Sequence, residues 1–293
     1  MTRRSVRWTV LALSAACVLA TSCALNAGAI VYVTGDGGDI QPGGEAGTTL
    51  DGGDESDGDA PKEGGPPVLV GPCYDDQIQV DAGFCIDKTE VTNAKFVSFL
   101  QAVGNDAGGV PLCAGQSILV TGDGADLFTH GDDPVREVSW CAAAAYCEWA
   151  GKRLCGSIAD GGAVGTADNT YKDASASEWD FACTANGAFA FPYGNTYDAS
   201  ACNGIDNAGH RPVPVGSDPA CAGGYPGLLD MSGNVWEWVN ACDNGAANTN
   251  CKLRGGGFNA AATQMNCNAD ATGNRVNQAQ SVDFGIRCCS NPQ

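Results

Sequence analysis

Residues 227–240 read "GLLDMSGNVWEWVN". One tryptophan stands on each side of a glutamate, one residue after a Gly-Asn pair. The apolar side chains of Leu228, Val235, Trp236 and Trp238 would suit a buried strand or a short helix equally well. Periodicity alone therefore leaves open whether this stretch belongs to the core or to a site. The rest of the chain has to decide.

The chain begins with a positively charged segment, "MTRRSVR", followed by the short apolar run "WTVLALSAACVLATSC". The run is too short to span a bilayer, so residues 1–22 are predicted to be a secretory signal peptide. Small residues precede Cys23 in "LATSC", and this pattern resembles bacterial lipoprotein signals. The resemblance implies a lipid on the Cys23 sulfur and an exported protein anchored in the cell-envelope membrane, on the periplasmic face or the cell surface. Cleavage of a plain signal near Ala27 is the alternative.

Residues 35–66 contain 11 Gly and 9 Asp or Glu in 32 positions. Such a composition cannot form an apolar core, and glycine with like charges favours a flexible, extended chain. We therefore predict a tether over residues 23–71 and one folded domain over residues 72–293. A calcium-binding repeat is a weaker interpretation of the recurring "GGD", because the fixed spacing of such repeats is missing.

The folded part is acidic and rich in cysteine. After Pro66 there are 11 Lys and Arg against 25 Asp and Glu, a net charge of −14, which repels phosphates and argues against a nucleic-acid partner. Fourteen of the 16 cysteines lie beyond the signal region, which predicts up to seven disulfides in an exported chain. With only His130 and His210 present, three-histidine iron or zinc sites are excluded.

Three stretches are predicted to be helical. In "TEVTNAKFVSFLQAV" the apolar side chains recur at helical spacing behind a cap at Thr92 or Asn93. "SWCAAAAYCEWAGKRLC" begins at Ser139 and ends where Gly151 can adopt a left-handed conformation. "SASEWDFAC" has the pattern of a capping box, Ser175 to Glu178. Short strand-like pieces separated by turns make up the rest, so the sequence predicts an α+β domain with many loops.

Seven motifs follow one another in a recognisable order: "FCIDKTEVTNAKFVSFL", "PVREVSWCAAAAYCEWAGKRL", "SEWDFAC", "FPYGN", "GLLDMSGNVWEW", "LRGGGFN" and "FGIRC". In order and spacing, residues 84–289 resemble the formylglycine-generating-enzyme, or sulfatase-modifying-factor, domain. The resemblance implies a C-type-lectin-like fold with little regular structure, a small twisted sheet and two flanking helices. It also implies an activity, the oxidation of a sulfatase cysteine to formylglycine by oxygen and copper(I) held on two cysteines.

The chain departs from this family where the two copper cysteines would stand. Counted from "RGGGF", those positions are Ala260 and Met265, and Gly257 replaces the usual serine. Neither side chain supplies a thiolate, which is the ligand that copper(I) prefers, so copper is not expected. Cys267 is either a shifted copper ligand or, as we prefer, a structural half-cystine. Cys288 and Cys289 are adjacent, which suits two separate bridges better than one bridge between neighbours.

Structural calcium is a further implication of the resemblance. One family site, placed on this sequence, uses the side chains of Asp230 and Glu237 with the carbonyls of Gly233 and Val235. A second, less clearly aligned, uses Asn203, the Gly204 carbonyl, Asn207 and the Gly209 carbonyl. These are the oxygen donors that calcium prefers. The alternative for Glu237 is an ion pair with an arginine such as Arg254 or Arg287, with the tryptophans filling the core.

The missing cysteines favour a non-catalytic lipoprotein that uses the family fold to bind an unknown protein or carbohydrate ligand. Residues 257–282 are polar and rich in Asn and Gln, and they also resemble the diversified ligand-binding segment of retroelement-mutated lectin-fold proteins. Such loops on a rigid frame are where binding usually resides. The alternative is a formylglycine-generating oxidase or a related exported oxidoreductase. The side chains predicted to form the binding surface are Phe258, Asn259, Gln264, Asn266, Asn268, Asn274 and Arg275.

Overall fold

The computed structural model describes residues 72–104, 110, 113, 116, 124–207, 209–243, 249–276 and 281–293. The predicted signal peptide, the lipidation site Cys23 and the predicted tether all lie outside these residues. In the described part, no helix combines the length and the apolar character needed to cross a membrane.

Two four-stranded sheets form the frame of the domain. The first has the order β1-β2-β8-β3 and is antiparallel throughout; its strands are β1 Gln77–Gln79, β2 Cys85–Asp87, β3 Arg153–Leu154 and β8 Cys288–Ser290. The second has the order β6-β5-β4-β7, with strands β4 Trp236–Cys242, β5 Asn250–Arg254, β6 Asp270–Asn274 and β7 Phe284–Gly285. Only the β4–β7 pair in this second sheet is parallel. The first strand, β1, and the last, β8, thus lie in one sheet.

In the described part of the chain, four α-helices accompany the sheets: α1 Asn93–Val103, α2 Gly124–Thr129, α3 Trp140–Trp149 and α4 Glu178–Cys183. Short 3-10 turns at Thr170–Lys172 and Ala262–Gln264 add to the regular structure. The small share of regular structure follows from the many Gly, Asn and Asp turns that interrupt the strands.

Two of the three predicted helix starts are confirmed. Thr92 caps α1 by accepting a hydrogen bond from the backbone N–H of Lys95, and Ser139 caps α3 in the same way. Gly151 follows α3 with a φ of 73°, as predicted for its left-handed position. The capping box assigned to Ser175 was wrong, because Ser177 caps α4 while the Ser175 hydroxyl donates to Asp173. Ser175 lies in the turn that leads into the helix.

The quoted stretch 227–240 turns out to be a tight turn followed by the central strand β4. Trp236 and Trp238 are both buried, and the Trp238 indole donates to the carbonyl of Val138, 2.9 Å away. In return, the Trp140 indole donates to the carbonyl of Val239 at 2.9 Å. These reciprocal bonds join α3 to β4, so Trp140 and Trp238 are core residues whose indole N–H groups are satisfied.

All fourteen cysteines of residues 72–293 are in disulfides: Cys73–Cys85, Cys113–Cys141, Cys147–Cys288, Cys155–Cys289, Cys183–Cys267, Cys202–Cys221 and Cys242–Cys251. The predicted number of seven bridges is confirmed, as is the prediction that Cys288 and Cys289 enter separate ones. Cys267 is a structural half-cystine, which removes the alternative of a shifted copper ligand. The bridges of Cys288 and Cys289 tie β8 to α3 and to the segment after β3.

Candidate functional site

A buried arginine organises the centre of the domain. The Arg287 guanidinium has no exposed surface; its Nε donates to Glu237 at 2.8 Å, and its two terminal nitrogens donate to the carbonyls of Asp87 and Leu229. The other oxygen of Glu237 accepts from the Trp179 indole at 2.6 Å. Of the two interpretations of Glu237 that the sequence left open, the structure therefore shows the ion pair, with Arg287 as the partner. Arg254, the other arginine considered, pairs with Asp180 instead.

Two further buried carboxyl groups lie near this pair. Glu90 accepts from the Asn234 side chain and from the backbone N–H of Val235, both at 3.3 Å, while Asp230 accepts from the Gly216 N–H at 2.5 Å. Burial raises the pKa of Glu90 well above its usual value, and the nearby Asp230 and Glu237 add to the rise. Burial also raises the pKa of Asp230. The carboxyl groups of Glu90, Asp230 and Glu237 thus all interact electrostatically with the Arg287 guanidinium.

Sequence reasoning did not identify Glu90 as part of this centre. It lies in the motif "FCIDKTEVTNAKF", where its neighbours read as the start of helix α1. A carboxylate between a strand and a helix cap is usually solvent-facing, and periodicity carries no sign that it is buried. Its sequence distance from Asn234 is 144 residues, so no local pattern relates them.

Asn234 connects the centre to a neighbouring loop. It has a φ of 60°, and its side-chain oxygen accepts from the Asn203 amide at 3.1 Å and from the Val213 N–H at 3.0 Å. Asparagine tolerates this left-handed conformation better than most residues. The turn 230–234 therefore acts as a hub that fixes Asn203 and Val213 next to β4.

The residues predicted to bind calcium do not fit the ion in this arrangement. Both oxygens of Glu237 already accept hydrogen bonds, one of them from a cation that would repel a calcium ion at the same place. Within the part of the chain that the structure describes, no three His, Cys, Asp or Glu side chains cluster as metal ligands would. Gly233 and Val235 do lie in the turn beside Asp230, but Asp230 itself is hydrogen-bonded to Gly216.

The residues of the second predicted calcium set make hydrogen bonds within and beyond their own loop. The Asn203 amide donates to the carbonyl of Arg211 as well as to Asn234, and the carbonyl of Gly204 accepts from the Asn207 N–H at 3.0 Å. Gly209 has a φ of 121° and lies against the Arg211 side chain. These bonds use amide N–H groups and one carbonyl of the set, and calcium at this second set stays a prediction.

The two positions of the family's copper cysteines are filled by apolar side chains. Ala260 and Met265 are 3% and 1% exposed and pack with Phe191 and the Cys202–Cys221 bridge. The Met265 thioether occupies a space bounded by glycines: a Cβ added at Gly204 or Gly233 would come within 2.9 Å of its methyl group. Because the domain's fourteen cysteines are all in disulfides, no thiolate is available there to bind copper(I).

The predicted binding surface needs a correction at two of its seven residues. Phe258 and Arg275 are only 5% and 2% exposed, so they cannot form a surface. The aromatic ring of Phe258 turns inward after the glycine run 255–257, as an apolar side chain at a turn into the core should. Arg275 stacks its guanidinium over the Trp140 ring at 5.0 Å. Sequence polarity alone could not separate this buried cation from an exposed one.

The other five predicted surface residues are accessible. Asn259, Gln264 and Asn268 are exposed, whereas Asn266 and Asn274 are partly buried. We call residues 259–268 the amide loop. Its own side chains brace it: Asn266 donates to the Thr263 carbonyl at 2.6 Å and accepts from the Asn268 N–H at 3.0 Å.

The backbone of the rest of the domain holds the amide loop on two sides. The Ala260 carbonyl accepts from Ile205, and the N–H of Cys267 donates to Ala190. Next to it, three aromatic rings lie in contact, with Phe191 stacked on Tyr193 at 5.6 Å and tilted against Tyr197. Both tyrosines pack against the cluster that contains Ala260 and Met265. The loop is therefore a rigid polar rim over an apolar filling.

Comparison with known proteins places the chain in a family. The family model described as the sulfatase-modifying factor enzyme 1-like domain matches residues 37–292. Hercynine oxygenase of Mycolicibacterium smegmatis is 34% identical over 115 residues, 38% of this chain and 22% of that protein. Inactive C-alpha-formylglycine-generating enzyme 2 of Bos taurus is 29% identical over 185 residues, 58% of this chain and 54% of that protein. The chain thus spans about half the length, or less, of these relatives.

Among solved structures, the crystal structure of CarF matches 72% of this chain and 87% of its own, with a TM-score of 0.47 and 19% identity. The match of the family model extends over most of the chain. The protein belongs to the sulfatase-modifying factor enzyme 1-like domain family. It is an α+β, disulfide-rich member with the C-type-lectin-like fold of the formylglycine-generating-enzyme type.

Proposed function

We propose that this protein is a non-catalytic, envelope-anchored member of its family, which uses the amide loop to bind a protein or carbohydrate ligand. The observation that carries the proposal is the filling of the copper position by Ala260 and Met265, in a domain whose cysteines are all bridged. The name of the bovine relative, an inactive formylglycine-generating enzyme, fits the same interpretation. A sulfatase-directed oxidase, the alternative, would need thiolates that these positions do not supply.

Loss of catalysis is tested with a substrate peptide. The purified domain is incubated with copper(I), oxygen and a Cys-x-Pro-x-Arg peptide, next to a copper-loaded formylglycine-generating enzyme as a positive control. We expect the peptide mass to change only in the control reaction. Stoichiometric conversion of the peptide thiol to an aldehyde by this domain would contradict the proposal.

Ligand binding by the amide loop is tested by a search for peptides or glycans that bind the domain. A peptide display library and a glycan array are probed with the wild-type domain and with the triple variant Asn259→Ala, Gln264→Ala, Asn268→Ala. A matched variant, Asp81→Ala with Lys88→Ala, changes exposed side chains elsewhere. We expect to find ligands that bind the wild-type domain and the matched variant but do not bind the triple variant. Binders that do not distinguish the two variants would place binding elsewhere.

The anchor is tested separately, because it concerns residues outside the described structure. Cells that express the full chain are grown with a radiolabelled fatty acid. We expect label on the wild-type protein and none on Cys23→Ser, which also leaves the membrane fraction. Equal labelling of both proteins would exclude Cys23 as the lipidated residue.

A further inference from the structure

A small cavity lies at the start of helix α1, away from the amide loop. Its volume is about 90 Å³, and it is lined by Asn93, His130, Asp133, Pro134, Arg136, Arg211 and Pro212. The wall segments are fixed relative to each other, because the Asn93 amide donates to the His130 carbonyl and the Val215 N–H donates to the Asp132 carbonyl. The cavity is therefore a built feature of the frame.

Arg211 distinguishes this cavity from the rest of the acidic surface. Among the described residues, eight Lys and Arg side chains contact carboxylates: Lys95, Arg136, Lys152, Arg153, Lys172, Lys252, Arg254 and Arg287. The exposed Arg211 side chain makes no hydrogen bond or ion pair with any of the described residues. An arginine without a carboxylate is unusual in a domain whose net charge is −14.

The backbone of Arg211 is held, although its guanidinium has no partner among the residues that the structure describes. Its carbonyl accepts from the Asn203 amide at 3.0 Å, and Asn203 is bonded in turn to Asn234 in the buried hub. Gly209 lies against the arginine stem, so that a Cβ there would be 3.7 Å from Cγ of Arg211. The side chain therefore starts from a fixed point on the cavity wall.

The chemistry of the walls selects a class of ligand. A guanidinium presents a planar fork that matches a carboxylate with two parallel hydrogen bonds. Asp133 in the wall and Glu137, which pairs with Arg136, oppose a doubly charged ligand such as phosphate. Pro134 and Pro212 supply rigid apolar surface, and the volume suits a short alkyl chain. We propose that this cavity binds a single carboxylate, with Arg211 as its partner.

A carboxylate of this kind has two sources, a free short-chain acid or the C-terminus of a polypeptide. The shared chemistry is a monoanionic carboxylate followed by a small apolar group. The inference is independent of the proposed function, because none of the cavity residues belongs to the amide loop. Either proposal can fail while the other stands.

Titration of the purified domain with propionate, followed by NMR chemical shifts or calorimetry, tests the inference directly. Arg211→Gln removes the charge, Arg211→Lys keeps the charge without the fork, and Lys88→Gln removes an exposed charge elsewhere. We expect Arg211→Gln to weaken propionate binding about tenfold or more and Arg211→Lys to weaken it less. Lys88→Gln should bind as the wild type does.

Two further arms identify the source and the class. A tripeptide that ends in alanine is compared with its C-terminal amide; tighter binding of the free acid than of propionate identifies a polypeptide terminus, and weaker binding identifies a small acid. Inorganic phosphate should bind more weakly than propionate. No propionate binding, equal binding by Arg211→Gln, or tighter binding of phosphate would overturn the inference. Circular dichroism of each variant checks that it is folded.

Discussion

Residues 230–237 and residues 258–267 both contribute buried side chains to the domain, but these side chains differ in kind. In the first segment Asp230 and Glu237 are buried carboxylates, and Glu237 is bonded to Arg287. In the second, Ala260 and Met265 are apolar and fill the place where the family keeps its copper cysteines. The first segment buries charged groups, of which Glu237 pairs with Arg287, whereas the second buries only apolar side chains.

This difference implies that the two segments tolerate substitution differently. A buried ion pair is difficult to alter, because removal of one partner leaves the other charge without compensation. An apolar filling under an exposed polar loop tolerates many changes on its outer side. The following predictions test whether the two segments respond as differently as their contacts imply.

The largest effect is expected for Glu237→Gln. The substitution removes the charge that compensates Arg287 and places an amide donor against the Trp179 indole or the guanidinium. We expect a loss of about 3–5 kcal/mol in the free energy of unfolding, measured by urea denaturation. Asp270→Asn is the control, since Asp270 pairs with Lys172 and Lys252 near the surface and should cost about 1 kcal/mol or less. Equal losses for the two variants would refute the distinction.

Met265→Ala should come next in size. The substitution empties the space between the glycines at 204, 233 and 256, and a cavity of this kind costs about 2–5 kcal/mol when the surroundings cannot close. Gln264→Ala, the exposed neighbour, should change the free energy of unfolding by about 0.5 kcal/mol or less. Chemical denaturation of both variants measures the contrast. A small effect of Met265→Ala on the free energy of unfolding would mean that the Met265 side chain is not closely packed.

A smaller effect concerns pH and the pair between Asp180 and Arg254. Burial raises the pKa of Asp180 to about 6, although Arg254 at 2.8 Å opposes the rise, and the second oxygen of Asp180 has no hydrogen-bond partner among the described residues. Because the folded state then holds a proton that the unfolded chain has released, this group's contribution to stability falls as pH rises from about 4 to about 6. We expect the melting temperature to fall across this window.

The variant Asp180→Asn cannot titrate and should show a flatter dependence of melting temperature on pH. Asp173→Asn removes an exposed carboxylate whose pKa is lowered by hydrogen bonds from Ser175, and it should leave the fall in place. An equal dependence of melting temperature on pH in the wild type and in Asp180→Asn would contradict proton uptake by Asp180 in this window.

The smallest effect is expected for metal removal. Since Glu237 is already bonded to Arg287 and Trp179, the geometry predicts that a calcium chelator leaves the melting temperature of the wild type unchanged. The sequence, through the family resemblance, predicted calcium at Asp230 and Glu237. A drop in melting temperature on chelation that calcium reverses, and that Asp230→Asn abolishes, would restore the sequence prediction.

Much of the fold could be predicted from the sequence because its signals are local or ordered along the chain. The caps at Thr92 and Ser139 follow from side chains a few residues from the N–H groups they accept from. The order of the seven motifs identified the family before any distance was known. The pairing of Cys183 with Cys267 could not be predicted, since 84 residues separate them and fourteen cysteines allow many arrangements.

The site was predicted less completely because burial depends on contacts that are distant in sequence. Glu237 could have paired with either of two arginines, and only the fold brings Arg287 rather than Arg254 to it. Arg275 is similar in type to an exposed cation, but its position over Trp140 buries it. The burial of Glu90 and the partial burial of Tyr193 could not be predicted, because residue type alone does not specify how deeply a side chain lies in the fold.

The glycines around Met265 bear on any attempt to place two thiols at positions 260 and 265. A cysteine at 265 would be shorter than the methionine, so its sulfur would sit back from the glycines at 204 and 233 and leave a void against them. A second cysteine at 260 would start from a backbone held by Ile205. Two point substitutions to cysteine would therefore leave part of this space empty, and a close fit would require further changes in the surrounding loop.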